Sequence, residues 1–148
     1  MIPEMHRQMS LSAPTSNELR THPLVQRALE DAWNDSWPAD PSQRHEEGGW
    51  VFADVASGAI STRRAPAGVR ASLDLNSPPV LPGCVVVATF HTHPNPSADG
   101  WNPGPSPADT RSAHLLGVPC IIRADDGIHT TGPTSRRGGL TGEPGFPS

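Results

Sequence analysis

The run Cys84-Val-Val-Val-Ala-Thr-Phe-His-Thr-His93, closed by Pro94, limits what this chain can fold into more than any other segment. Val85, Val86, Val87, Thr89 and Phe90 favour extended backbone, and a run this apolar belongs in the middle of a sheet, where both of its faces are covered. Its end has a different character. His91 and His93 are two residues apart, and strand side chains alternate in direction, so both rings leave the same face. Pro94 then stops the strand, which puts the pair at a sheet edge beside a loop.

The flanking segments supply the cover. Leu24, Val25, Ala28, Leu29, Ala32 and Trp33 recur at helical spacing, with Thr21 or His22 as cap and Pro23 suited to the first turn, so an amphipathic helix is expected over 23–37. Trp50–Asp54 and Ala59–Arg63, joined by Ser57-Gly58, read as a hairpin. Val69–Leu75 alternates moderately and reads as a further short strand ending at Ser77-Pro78-Pro79. Ser106–Leu116 is expected to be a helix stopped by Gly117. Cys120–Arg123 and Ile128–Thr131 make a second hairpin about Asp126-Gly127. No internal repeat occurs. The order of elements implies one α/β (α+β) domain with a mixed central sheet flanked by helices, spanning residues 21–132. Residues 1–20 and 133–148 read as a flexible leader and tail, in keeping with 18 prolines, 14 glycines and only 34% hydrophobic residues in 148.

Charge and composition exclude several classes. A net charge of −4 offers no basic field for nucleic acid or an anionic membrane. Two cysteines, Cys84 and Cys120, cannot build a disulfide framework, and they read as small buried hydrophobes; a bridge between them requires an oxidising setting. No signal peptide or membrane-length run is present, so a soluble cytoplasmic protein is expected. All eleven basic residues are arginine, and lysine and tyrosine are absent, as GC-rich codon usage would produce.

The remaining chemistry concentrates after the central strand. Ser106-Pro107-Ala108-Asp109 opens the second helix, and the i, i+3 spacing puts Ser106 and Asp109 at the same helix end. By itself that tetrapeptide is a plain capping box. Joined to His91 and His93, it supplies a third ligand. Two imidazoles and a carboxylate leave a fourth position for water, which is the pattern of catalytic zinc, with iron and cobalt compatible by ligand type. A carboxylate outside the ligand set would then serve as base. Rival signatures fail: Gly49 stands where a zincin HExxH after His45-Glu46 needs histidine, Pro119-Cys120 lacks a deaminase's second cysteine, and no P-loop or dinucleotide fingerprint occurs.

In order, Glu46 … His91-Thr92-His93-Pro94 … Ser106-Pro107-Ala108-Asp109 resembles the signature of the JAB/MPN (JAMM) zinc metalloprotease family, over about Glu46–Gly132. The resemblance implies an MPN-like fold, His91, His93 and Asp109 as zinc ligands, Glu46 as general base in a Glu-x-Gly-Gly setting, and Ser106 as oxyanion donor. It also implies an isopeptidase that cuts after the C-terminus of a ubiquitin-like protein, with E1- and E2-like enzymes of a bacterial antiviral operon as partners. A toxin-associated peptidase and a non-catalytic MPN scaffold are the alternatives. Two departures leave choices open. Glu47 neighbours Glu46 as a rival base, and the long spacer between His93 and Ser106 contains Trp101, a candidate substrate contact, and Asp99, a rival ligand. His45, His114 and His129 are candidates for orienting a ligand, although surface roles suit them. Arg136-Arg137-Gly138-Gly139 looks like the end of a ubiquitin-like protein and reads as tail.

Overall fold

The structure, a computed structural model, describes residues 12–37, 40–95 and 100–142. Asp99 lies outside these residues. Helices α1 (Ser16–Arg20), α2 (Pro23–Asp35) and α3 (Pro107–Leu116) surround strands β1 (Gly48–Asp54), β2 (Ile60–Arg64), β3 (Cys84–His93), β4 (Cys120–Ala124) and β5 (Gly127–Thr131). The strands form one mixed sheet in the order β2-β1-β3-β4-β5, with β3 in the centre as its composition requires. β1 runs antiparallel to β3, β4 runs parallel to it, and each outer strand closes a hairpin. The architecture is the small mixed-sheet α+β domain expected from the order of elements.

The two faces of the sheet do different jobs. α2 starts at Pro23 behind His22, whose Nδ1 accepts from Leu24 N at 3.2 Å. It ends two residues before Trp37, where Ser36 turns its hydroxyl back to Ala32 O at 2.8 Å. Its Val25, Ala28, Leu29 and Ala32 are buried with Val51, Ala53, Phe90 and Ile121. Each large side chain so buried contributes about 1.5–3 kcal/mol, so this face is the main source of stability. On the opposite face Trp50 and Phe52 pack under Leu75 and Leu81, and Ala113 of α3 packs on Cys120 and Ile122.

Thr92 fastens the first face to the end of β3. With the Ser36 proton on Ala32 O, the Thr92 hydroxyl donates to Ser36 Oγ at 2.7 Å and accepts from Glu47 N at 3.0 Å. Thr92 N donates in turn to Glu47 O at 2.9 Å. All of this is fully buried, where a hydrogen bond left unmade is costly.

Two expectations need correction. Val69–Leu75 is not a strand, and β1, beside which it lies, is already paired on both sides. The segment instead crosses over β1, with Leu75 O accepting from the Trp50 indole at 2.9 Å. The leader and tail are ordered where described. α1 carries a Thr15–Glu18 capping box, Ser16 N donates to Thr134 O at 2.7 Å, and Arg137 N donates to Gly117 O at 2.9 Å. Single apolar anchors, Leu19 and Leu140, hold these ends, and one anchor leaves no periodicity to read. Cys84 and Cys120 are free thiols. Cys120 pairs with Thr89, five residues along β3 from Cys84, a strand distance of about 16 Å that no disulfide spans. Among the described residues no helix is long and apolar enough to cross a membrane.

Leu140→Ala should lower stability by about 2–5 kcal/mol in urea or guanidinium unfolding, because the folded-back end is part of the core. A change within error would show that residues 133–142 contribute nothing.

Candidate metal centre

The site begins with the register of β1 on β3. Gly48 lies opposite His91 and Gly49 opposite Phe90, so continuing the pairing sets Glu47 opposite Thr92 and Glu46 opposite His93. Directly opposed residues share a face. Glu46 therefore joins the histidines, whereas Glu47 turns to the α2 side, where its carboxylate is held by His45 Nε2 at 2.6 Å and by Arg64. Arg64 is also paired with Asp35 at 3.0 Å. The rival base is committed elsewhere.

The third group arrives with α3. Asp109 N donates to Ser106 Oγ at 3.0 Å and Ser106 N to Asp109 Oδ2 at 2.9 Å, so the capping box is real. It is also the means of aiming the carboxylate. Asp109 Oδ1 lies 3.3 Å from His91 Nε2, Asp109 Oδ2 lies 3.2 Å from His93 Nε2, and the two Nε2 atoms are 3.3 Å apart. Donors of a tetrahedral ion with bonds of about 2.0–2.1 Å stand about 3.3 Å apart, and the two ring nitrogens have that spacing, while the carboxylate meets each ring with a different oxygen. Among the described residues these three form the one such cluster of histidine, cysteine and carboxylate groups.

The far nitrogens are held too. His93 Nδ1 donates to Pro103 O at 3.2 Å, which leaves the Nε2 lone pair aimed inward. His91 Nδ1 lies 3.6 Å from Cys120 Sγ. Neither partner was readable from local sequence, because each depends on which strand or loop comes to lie beside the ring. Cys120 is thus more than the small hydrophobe expected. The histidines proposed as orienting partners bond elsewhere: His45 to Glu47, His114 Nδ1 to Arg137 at 3.0 Å, and His129 to Asp126 at 2.8 Å.

Charge in this pocket is strongly coupled. Burial raises the Glu46 carboxyl above its ordinary range, against the pull of His91 and His93, with Asp109 adding to the rise. Burial acts against a charged His91 ring, but the Cys120 sulfur and the Asp109 carboxylate outweigh it and the ring holds its proton more tightly than usual. Asp109 is held well below the carboxylate range, the opposing effect of burial being overcome by hydrogen bonds from both rings. Two cavities meet here, one of about 170 Å³ and one of about 350 Å³, and Glu46, Ser106 and Asp109 line both. Ser106 Oγ accepts from Asp109 N, and its own proton has no acceptor among the described residues. Trp33 and Trp37 pack at a tilt, with centroids 5.4 Å apart, under Arg123 and Arg44 and outside the site, while Trp101 borders the larger cavity.

No family model, curated protein or solved structure matches the chain. The site itself offers three convergent groups that could hold a metal ion, a buried carboxylate beside them and a hydroxyl whose proton has no acceptor among the described residues.

Titration calorimetry with Zn²⁺ should give one tight site, weakened about 100-fold or more by His91→Ala or Asp109→Asn and unaffected by His129→Ala. A ligand ring with a raised proton affinity is charged at low pH, and the metal must displace that proton. Affinity should therefore climb from pH 6 to pH 8, with proton release visible as a dependence on buffer ionisation heat. Binding that ignores Asp109→Asn would disprove the three-donor site.

Proposed function

We propose that the protein is a zinc-dependent isopeptidase that hydrolyses the amide bond following the extended C-terminus of a ubiquitin-like protein. The observation that carries this reading is the convergence of His91, His93 and Asp109, with contacts of 3.2–3.3 Å between them, and Glu46 beside them in the same cavity. A bound zinc supplies an acidified water and a polarised carbonyl.

The chain's own groups do the rest. Glu46, made more basic by burial, takes a proton from the attacking water and delivers it to the leaving nitrogen. The acyl carbon gains the hydroxyl, the C–N bond breaks, and the amine leaves with the transferred proton. Ser106, with its hydroxyl proton uncommitted, donates to the developing oxyanion. The smaller cavity runs between residues 71–76 and α3, past Ala71, Ser72, Ala108, Ser112 and Ala113. Such narrow walls suit a chain end of glycines, which supports the substrate class. Because β3 is paired on both sides, an extended tail would meet the 71–76 backbone instead of a free sheet edge.

Cleavage of a ubiquitin-like fusion tests the mechanism. Glu46→Gln should lower kcat by about 10²–10⁴-fold, Ser106→Ala by about 10²–10³-fold, and chelation should abolish turnover until zinc is restored. Equal cleavage by wild type, Glu46→Gln and chelated protein would end this reading.

A further inference from the structure

His91 is the more deeply buried of the two imidazoles, and its ring nitrogens have different neighbours. Nε2 lies 3.3 Å from both Asp109 Oδ1 and His93 Nε2, while Nδ1 lies 3.6 Å from Cys120 Sγ. Among the described residues Nδ1 has no other hydrogen-bond partner. The sheet register explains the meeting. In the parallel pairing of β3 with β4, Cys120 stands opposite Thr89 and Ile122 opposite His91. The thiol therefore lies one alternate position back on the face that carries the ring, and Ala113 of α3 closes over it. A neutral imidazole carries one N–H. When Nε2 gives its lone pair to a metal, that N–H must be on Nδ1, and at this depth it needs an acceptor. His93 meets the same need with a backbone carbonyl, Pro103 O at 3.2 Å. His91 meets it with a sulfur, a weaker acceptor.

We propose that Cys120 is a positioning residue of the metal centre: its sulfur accepts the Nδ1–H of His91 and holds the ring in the tautomer and orientation that present Nε2 to the ion. This rests on the metal-binding reading of His91, His93 and Asp109 and is independent of the reaction proposed for them. A partner on the far nitrogen orients a ligating ring and raises its basicity, so the strength of that partner bears on how tightly the ion is held. At His93 the partner is main chain and is given by the path of the loop. At His91 it is a side chain, so one residue of the sequence sets the grip of the site. Cys84, the other free thiol, sits at the opposite end of β3 from the rings and has no such part.

Zinc affinity, measured by competition with a chromogenic chelator, is the first readout, and urea unfolding of the metal-free proteins separates aim from packing. Cys120→Ala should weaken zinc binding by about 10–100-fold, beyond any change in its unfolding midpoint. Cys120→Ser keeps an acceptor and should stay within about threefold of wild type, as should the control Cys84→Ala. Undiminished binding by Cys120→Ala, or an equal loss in Cys120→Ala and Cys120→Ser, overturns the proposal. Nitrogen-15 NMR of the zinc-loaded wild type needs no variant to fold. It should show His91 bound through Nε2 with its proton on Nδ1, and that proton should exchange with water faster in Cys120→Ala while the His93 signal is unchanged. Zinc on Nδ1 of His91 overturns the proposal and leaves the metal centre standing. A wild type that binds no zinc overturns both.

Discussion

The parallel pairing of β3 with β4 is the constraint on which the site depends. Antiparallel neighbours can be joined by a tight turn, but a parallel pair needs a crossover, and the crossover must pack back on one face of the sheet. α2 already occupies one face, so α3 takes the other, where it contacts Cys120 and Ile122. The crossover leaves β3 at His93 and re-enters at Cys120, which brings the first turn of α3 over the last residues of β3. Asp109 meets the two imidazoles because topology leaves that turn nowhere else to go.

Period-two alternation lets one strand end serve two purposes. Phe90 and Thr92 face the core and the end of α2, and there Thr92 ties β3 to Glu47 and Ser36. Thr89, His91 and His93 face α3 and the cavities. Rigidity on the first side keeps the imidazoles on the second in place, since a strand that cannot slide cannot move its rings. The capping box does the same for the carboxylate. Asp109 satisfies a backbone N–H at the helix start and faces the rings at once, so part of the ordering that a metal would otherwise have to impose is already in the fold.

How much of this the sequence disclosed follows from how local each signal is. The central strand, the shared face of His91 and His93, and the start of α3 at Ser106 are written in residue type and spacing, and they are legible. The segment 69–75 was misread because alternation reports exposure on two sides, and a loop lying across a sheet alternates as an edge strand does. What denies it strand status is that β1, the strand it crosses, already has partners on both sides, which is a property of the whole sheet. Leu19 and Leu140 leave no such signal, because isolated anchors have no period. Cys120 beside His91 and Pro103 O beside His93 are products of register and loop path.

The two glycines after the glutamates belong to the same logic. A Cβ on Gly48 would come within 2.2 Å of Phe90 O, and one on Gly49 within 1.9 Å of Arg63 O. No side chain fits at either place, so bare backbone is what allows β1 to lie closely against β3 and β2 together. That closeness fixes the register, and the register, carried past Gly48, sends Glu46 to the face of His91 and His93 and Glu47 to the face of Thr92. The Glu-Glu-Gly-Gly sequence is therefore a steric instruction before it is a chemical one. It sets the depth of the strand, and the depth decides which of two adjacent carboxylates is buried beside the imidazoles and which is left to an ion pair with Arg64.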